Sequence, residues 1–311
     1  MSQTSAKKKP QRPANKKAAK GRPAGLFTWI AAIAVVAVVA TLVVVKIASG
    51  SNGAASSAWT AADPAALKAV TSIPASEFDS VGVTSPGIPV SAPAKTKGQT
   101  LLTTTVNGKT LPVFMYVGAE YCPFCAAERW SVVAALSRFG KWSNLGNGVS
   151  STKTGEVYPG TQTFTFQKAT FSSPYVAFSG VEEFTSVWNN SLGFYEKLTK
   201  PTKIQQATWK KYDTSAFIPT LQPSQDGSIP FVSVGNQFLS SGASYSPAPL
   251  QGMTRATIAQ GLSDPTSPVT QAIVATANYQ SAAICAVDGN KPASVCNSAG
   301  VRAAKTALGL K

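Results

Sequence analysis

Tyr-Cys-Pro-Phe-Cys, at residues 121–125, is the most informative segment of this chain. It follows an apolar run at residues 113–117 and precedes residues 126–139, whose composition favours a helix. At such a strand-to-helix junction the first cysteine sits at the helix N-terminus, where unpaired N–H groups and the helix dipole stabilise its thiolate. Pro123 suits the first helical position because its missing N–H costs nothing there. The segment therefore predicts a cysteine pair capable of thiol-disulfide exchange.

A family resemblance surrounds this motif. Residues 118–125, Gly-Ala-Glu-Tyr-Cys-Pro-Phe-Cys, resemble the active-site segment of thioredoxin-fold proteins. Ile-Pro-Phe-Val at residues 229–232 resembles the cis-proline strand start that faces the cysteines in that fold. More narrowly, residues 117–140 resemble a poorly characterised prokaryotic family of membrane-anchored, thioredoxin-like proteins, and this likeness extends from about residue 64 onward. The resemblance implies a three-layer α/β fold of the thioredoxin type.

The resemblance also implies the site residues. Cys122 would be the attacking thiol, Cys125 the resolving thiol, and Pro230 the residue that shapes the groove for a substrate backbone. Glu120 matches the acid before the cysteines, although carboxylates near helix starts are common simply because they suit the dipole. The buried aspartate of thioredoxins has no counterpart in the preceding strand, so proton handling would fall to water, Glu120 or another acid such as Glu128.

The spacing between the motif and the proline is much longer than a minimal thioredoxin needs. It predicts a large insertion at about residues 140–215, between the active-site helix and the cis-proline strand. Residues 184–212 have helical character broken at Pro201, so the insertion is expected to be helical. Disulfide-bond oxidases of bacterial envelopes carry a helical insertion at the same place.

Other elements follow from turn signals and periodicity. Asn-Gly at residues 107–108, between two strand-like runs, predicts a β-hairpin whose second arm leads to the cysteines. Residues 231–234 and 237–240 are predicted as the closing strands of the sheet. Residues 254–262 and 268–286 are predicted as the helices that follow them.

An uncharged, apolar segment near the N-terminus predicts a membrane anchor. Residues 24–45 are dominated by Ala, Val, Ile and Leu and are long enough to cross a bilayer as a helix. Several Lys and Arg residues and no acid precede them, which predicts a cytoplasmic N-terminus and an extracytoplasmic main domain. A cleaved secretory signal is the alternative, but its apolar core usually has only about 7 to 15 residues.

The chain is therefore expected to have four parts. Residues 1–23 would form a basic cytoplasmic tail, residues 24–47 a single transmembrane helix in the cell membrane, and residues 48–62 a flexible linker rich in Ala, Ser and Gly. Residues 63–311 would form the extracytoplasmic thioredoxin-like domain. The lipid bilayer is accordingly one predicted partner.

Charge and composition exclude several function classes. The net charge of +15 is concentrated at the N-terminus, because the first 50 residues contain no Asp or Glu. A polybasic tail beside a transmembrane helix serves orientation and lipid contact, so no nucleic-acid partner is predicted. The absence of histidine excludes Ser-His and Cys-His catalysis and imidazole metal ligation. No metal and no dissociable cofactor are expected, and the redox-active disulfide would carry the chemistry.

Four cysteines in an exported domain favour two disulfides over free thiols. Cys122 and Cys125 form the local pair, which leaves Cys285 and Cys296 for each other unless the two pairs exchange. By the chain-entropy estimate so short a second loop contributes about 3 kcal/mol, which supports a structural disulfide. An electron relay to the active site is the other interpretation of that pair.

Two functions remain open on this evidence. The first is a membrane-anchored, extracytoplasmic thiol-disulfide oxidoreductase that acts on protein thiols or disulfides of the cell envelope through Cys122 and Cys125. The second is a redox-silent thioredoxin-like binding module of the envelope, in which both disulfides only stabilise the fold. Half of a zinc site is a further alternative for the motif, but zinc would need four soft ligands in suitable spacing.

Overall fold

The computed structural model describes residues 58–310 of the 311-residue chain. This part is a mixed α/β structure in which helices cover a central sheet. None of its helices is both long and apolar enough to cross a bilayer. The basic tail and the transmembrane helix predicted at residues 24–47 lie outside the described residues and stay predictions.

Strands make up the central sheet and three small hairpin-like pairs. In chain order they are β1 Ala94–Lys95, β2 Thr103–Val106, β3 Lys109–Gly118, β4 Lys141–Ser143, β5 Gly146–Val149, β6 Gln162–Thr165, β7 Thr170–Ser172, β8 Ala177–Glu182, β9 Phe184–Asn189, β10 Phe194–Lys197, β11 Phe231–Val234 and β12 Phe238–Ser241.

Helices precede, interrupt and follow these strands. In chain order they are α1 Pro64–Thr71, α2 Ala75–Val81, α3 Pro123–Ser137, α4 Lys203–Tyr212, α5 Arg255–Gly261, α6 Pro268–Val287, α7 Ala293–Cys296 and α8 Ala299–Ala307. Single 3-10 turns lie at Pro223–Gln225 and Ala248–Leu250.

The central sheet is built around β3. Strand β8 pairs with it in parallel, and β11 pairs with it antiparallel. Beyond β11 the sheet continues with β12 and then β1, both antiparallel to their neighbours. Because β3 and β8 are parallel neighbours, the chain crosses between them, and α3 forms the first part of this crossover.

The predicted hairpin before the cysteines is confirmed. Strands β2 and β3 pair antiparallel from Thr103 opposite Pro112 to Val106 opposite Lys109. Asn107 and Gly108 both have positive φ, 49° and 76°, as a two-residue turn that matches the strand twist requires. The hairpin fixes the start of β3, whose other end leads directly to the cysteine motif.

Alternate side chains of β3 enter two separate apolar cores. Phe114 and Tyr116 belong to the larger core, which includes residues of α3 and α6. Val113, Met115 and Val117 belong to a smaller core that includes a residue of α4. Helix α3 is buried almost all round, because α6, α1 and β6 pack against it. The sheet is thus covered on both faces, with the motif at the end of its central strand.

The predicted helical character of residues 184–212 is wrong for the first half of that segment. Strands β9 and β10 form an antiparallel pair there, and the helix α4 begins only at Lys203, after Pro201. Aromatic and β-branched residues such as Phe184, Thr185 and Val187 favour a strand more than a helix, and Gly193 with φ 60° suits the tight connection.

The predicted insertion at about residues 140–215 also needs correction. Strand β8 lies within that range yet pairs with β3 along residues 113–118, so it is part of the central sheet.

The C-terminal end of the linker predicted at residues 48–62 makes contacts with the domain. Ala61 forms a β-bridge with Gly146, and the Ala62 N–H donates to the Leu145 carbonyl oxygen at 2.9 Å. Residues 61 and 62, which were predicted as part of the flexible linker, therefore pack on the domain.

Candidate functional site

Cys122 occupies the N-cap position of α3, directly after the loop that follows β3. The Cys125 backbone N–H donates a hydrogen bond to the Cys122 sulfur, with 3.2 Å between nitrogen and Sγ. Pro123 is the first residue of the helix, where no intrahelical donor is needed. The sulfur of Cys122 thus takes the role that a Ser or Asp side chain plays at other helix starts.

The two cysteines differ sharply in exposure. Cys122 retains 6% of its accessible surface and Cys125 retains none, whereas Phe124 between them is 38% exposed. Both are free thiols, so the predicted Cys122–Cys125 disulfide is not the state that this structure shows. The N-cap hydrogen bond to the Cys122 sulfur gives the reduced pair its own stabilising contact. A reagent or a substrate would reach Cys122 first.

The pKa values of the two thiols also differ, and the more exposed thiol has the lower one. The pKa of Cys122 is lowered, mainly because the Cys125 thiol donates a hydrogen bond to it, with further contributions from the Cys125 N–H and the charge of Arg129. Burial opposes this shift without cancelling it. Burial raises the pKa of Cys125 well above its ordinary value. Cys122 is therefore the thiol that forms the thiolate.

Pro230 follows Ile229, whose carbonyl group lies next to the cysteine pair. The Ile229–Pro230 peptide bond is cis, and the Ile229 carbonyl oxygen lies 3.8 Å from the Cys122 sulfur. The following strand, β11, pairs with β3 in a register that sets Phe231 opposite Val117. This register carries the start of β11 to the end of β3, next to the helix that bears the cysteines.

Glu120, the predicted acid, is buried in a different set of contacts. Its side chain is 7% exposed and accepts a hydrogen bond of 2.6 Å from the Thr165 hydroxyl, while its backbone N–H donates to the Phe184 carbonyl oxygen. Burial raises the pKa of Glu120. The structure thus places Glu120 beside the motif but gives it Thr165, and neither cysteine, as its hydrogen-bond partner.

A buried ion pair beneath the cysteines was not foreseen from the sequence. Arg129 on α3 donates from Nε and Nη2 to the two carboxylate oxygens of Glu182, at 2.7 and 2.6 Å. Nη2 also donates to the Ala119 carbonyl oxygen at 2.7 Å. Both charged side chains are fully buried. The available signal was the position of Arg129, four residues after Cys125 on a helix whose other residues are mostly apolar.

Tyr116 lies under this ion pair on the inner face of β3. It is fully buried, and its ring centroid lies 6.0 Å from Arg129 Cζ. Within the described residues its hydroxyl has no hydrogen-bond partner. The pKa of Tyr116 is raised well above its ordinary value, first by burial, so the hydroxyl stays protonated. It stands in the strand where the thioredoxin resemblance would have placed an aspartate.

Aromatic rings enclose the side of the motif that faces β9 and β10. Tyr121 stacks on Tyr195 with centroids 4.1 Å apart, and the rings of Phe184 and Phe194 approach it edge-on at 6.3 and 5.7 Å. The Tyr195 hydroxyl donates to a carboxylate oxygen of Glu156, and its oxygen lies 2.8 Å from the Ser151 hydroxyl oxygen. Sequence reasoning missed this cluster because it assigned residues 184–197 to a helix.

Glu128, the other acid considered, belongs to the core behind the motif. It is fully buried and accepts hydrogen bonds from the Ser244 N–H, the Ser244 hydroxyl and the Gln280 amide at 2.8, 3.1 and 2.7 Å. Burial raises its pKa to about 7, although these donors oppose the shift. Its contacts tie α3 to α6 and to the loop after β12.

Cys285 and Cys296 form a disulfide between α6 and α7, with a sequence separation of 11. Both are fully buried in the larger core. Thiol-disulfide exchange requires an attacking thiolate to reach a sulfur atom, and neither of these sulfurs is accessible in this structure.

Comparison with known proteins identifies one family. The family model described as a domain of unknown function (DUF929) matches residues 102–286, more than half of the chain. The matched segment includes both motif cysteines, the Arg129–Glu182 pair and Pro230, and it ends before Cys296. No curated protein and no solved structure matches the chain significantly.

Proposed function

Because the chain belongs to the DUF929 family, a domain of unknown function, its chemistry has to be inferred from its site, and we propose a thiol-disulfide oxidoreductase acting on protein cysteines. The Cys122 thiolate attacks one sulfur of a substrate disulfide and forms a mixed disulfide. Cys125 then attacks Cys122, closes the Cys122–Cys125 disulfide and releases the reduced substrate. In the opposite direction the same steps oxidise a substrate dithiol.

The observation that carries this proposal is the asymmetry of the two thiols. Cys122 caps the helix, accepts the Cys125 N–H and has the lowered pKa, whereas Cys125 is fully buried with a raised pKa. A static disulfide would need no such difference. Thiol-disulfide exchange needs this difference. The attacking thiol must ionise and contact the substrate, whereas the resolving thiol reacts only after the mixed disulfide has formed.

The path of the chain supports a thioredoxin-like fold for this function. Strand β3 leads into the cysteine helix α3 and then to its parallel neighbour β8, after which β11 and β12 add antiparallel and α6 packs on α3. The proline of the sequence resemblance stands at the start of β11, opposite the cysteines. Pro230 and the Ile229 carbonyl group would border the groove that receives the substrate backbone.

We place the domain on the outer side of the cell membrane, where protein disulfides persist. The uncharged segment at residues 24–45 and the basic residues before it support a membrane anchor with the domain outside. The substrates would then be protein thiols or disulfides of the cell envelope. No dissociable cofactor is needed, because the cysteine pair itself exchanges the electrons.

One observation favours the rival function, a redox-silent binding module. The Cys122 side chain is only 6% exposed, and the aromatic rings around Tyr121 cover one side of the motif. In that function the pair would react with small reagents only after unfolding. The burial of Cys285 and Cys296 supports a structural disulfide in either function, and we propose that role for it.

Redox titration of the folded domain separates the two functions. The domain is equilibrated with glutathione buffers of graded ratio, quenched with acid, alkylated with iodoacetamide and weighed by mass spectrometry. The oxidoreductase is expected to gain or lose two alkylations within minutes while it remains folded, and Cys285→Ala with Cys296→Ala serves as the variant without the second pair. If the motif cysteines change state only in denaturant, the redox-silent module is the correct function.

A further inference from the structure

Two buried hydrogen-bond donors close to Cys125 have no partner within residues 58–310. They are Nη1 of Arg129 and the hydroxyl of Tyr116, and both residues are fully buried. Most buried polar groups in folded proteins are paired, because an unpaired donor loses its hydration without replacement. Two such donors in one place therefore require an explanation.

The other contacts of Arg129 fix its guanidinium group in place. Glu182 binds Nε and Nη2, and the Ala119 carbonyl oxygen binds Nη2 as well. Arg129 follows Cys125 by four residues on α3, so the two side chains lie on the same face of the helix. Burial raises the pKa of Cys125, and Arg129 is the nearby charge that opposes this shift. The guanidinium group of Arg129 is therefore held near the resolving thiol, Cys125.

The proposed reaction creates a charge at that point. When Cys125 attacks, the bond between its sulfur and Cys122 Sγ forms and the bond between Cys122 Sγ and the substrate sulfur breaks. The electron pair leaves with the substrate sulfur, which takes the proton that Cys125 gives up. The two protein thiols are oxidised and the substrate disulfide is reduced. Cys125 carries a negative charge only during this step, in a site closed to water.

We propose that Arg129 supplies the positive charge that stabilises the Cys125 thiolate and that Glu182 is the positioning residue that holds Arg129 beneath the cysteines. This inference rests on the proposed function and deepens it. Nη1 and the Tyr116 hydroxyl are the donors left for the transient thiolate. Glu182 also neutralises the guanidinium charge while both cysteines are protonated, which permits the burial of that charge.

A double variant tests the electrostatic role without leaving a lone buried charge. Arg129→Met with Glu182→Leu replaces the ion pair by apolar groups. The matched control is Arg138→Met at the C-cap of the same helix, where Arg138 donates to Asn278, Ser281 and Ser298. Two quantities are measured: the rate at which Cys125 resolves a mixed disulfide between Cys122 and glutathione, and the pH dependence of Cys122 alkylation in the reduced protein.

The double variant is expected to lose the stabilisation of both thiolates. Its rate of mixed-disulfide resolution should fall about tenfold, and its Cys122 pKa should rise. Glu182→Gln should shift both quantities the opposite way, because glutamine keeps an oxygen acceptor that holds Arg129 but removes the negative charge. The titrating or charged groups near this site are Cys122, Cys125, Tyr116, Glu120, Tyr121 and the Arg129–Glu182 pair, and only that pair is changed.

Equal resolution rates and equal Cys122 pKa values for the double variant, Arg138→Met and the unchanged protein would overturn the inference. A Glu182→Gln shift in the same direction as the double variant would also overturn it. If the double variant does not fold, the sign of the Glu182→Gln shift decides. Failure of the proposed function looks different, since the unchanged folded protein then does not equilibrate with glutathione. The alkylation pKa of the reduced protein still tests Arg129 in that case.

Discussion

The sulfur of Cys122 lies 3.8 Å from the carbonyl oxygen of Ile229, although 107 positions separate the two residues in sequence. The register of β11 against β3 produces this approach, because it brings the start of one strand to the end of the other. The backbone before Pro230 therefore borders the sulfur of Cys122. The site is defined by two distant segments that the sheet holds together.

The first prediction concerns the order in which the thiols react. In the reduced, folded domain Cys122 should be alkylated before Cys125, and its rate should reach half-maximum at a pH below about 8.5, the value for a free thiol. The physical reason is the N-cap hydrogen bonding that lowers the Cys122 pKa, while burial raises that of Cys125. Peptide mapping of iodoacetamide adducts over a pH series measures both. Faster alkylation of Cys125 would reverse the assignment.

The second prediction concerns the disulfide between Cys285 and Cys296. Replacing both with alanine should lower the free energy of unfolding by about 3 kcal/mol, because the closed loop of the unfolded chain is opened. Exchange through Cys122 should persist, since both sulfurs of the second pair are buried. Chemical denaturation and a disulfide-reduction assay provide the two readouts. A folded variant without turnover would instead make this pair an electron relay.

The third prediction concerns Glu128 and pH. Burial raises its pKa in the folded protein from an ordinary value of 4.5 to about 7, so the folded state binds the proton more tightly than the unfolded chain. The stability that it contributes is complete below pH 4.5 and falls as the pH rises to about 7. Relative to Glu128→Gln, the unchanged protein should lose about 3 kcal/mol across this window.

Urea denaturation of both proteins at several pH values measures this difference. Common contributions from other groups cancel in the comparison, because only residue 128 differs. A constant difference between pH 4 and pH 8 would mean that Glu128 is ionised or protonated equally in the folded and unfolded states.

The fourth prediction concerns topology. Protease added to intact spheroplasts should digest the domain after residue 47 and spare the basic tail, because the basic residues before the apolar segment favour a cytoplasmic N-terminus. Immunoblots with tags at either end report the two parts separately. Protection of the domain in intact spheroplasts, with digestion after lysis, would place it in the reducing cytoplasm.

The sequence predicted the parts of the fold that local chemistry determines. Asn107 and Gly108 specify their hairpin turn, and Cys122 and Pro123 specify the helix start, because each depends on the conformational preferences of adjacent residues. The closing strands and the long C-terminal helix were also predicted close to their observed positions. These elements alone place the cysteines at the end of the central strand.

The rest depended on pairings between distant segments. Residues 184–197 were predicted as helix, whereas the antiparallel pairing of β9 with β10 makes them strands. Glu182 gave no signal in the sequence, since an acid at a strand end is usually exposed. It is buried because Arg129, more than fifty residues earlier, supplies the charge that it requires.

Capture of a mixed disulfide tests directly whether Cys122 exchanges disulfides with substrate proteins. Cys125→Ser removes the resolving thiol and keeps the attacking one, so a substrate protein that reacts with Cys122 should stay bound to it. Cys122→Ser is the matched control, since it keeps a buried thiol and loses the attacking one. The variants are expressed in their membrane, quenched with acid and compared by non-reducing electrophoresis.

Cys125→Ser should give reducible, high-mass adducts that peptide maps show to be linked through Cys122. Cys122→Ser should give none. Absence of adducts from Cys125→Ser, with the folded protein present in the membrane, would contradict thiol-disulfide exchange as its function. Equal adducts from both variants would contradict the roles assigned to Cys122 and Cys125.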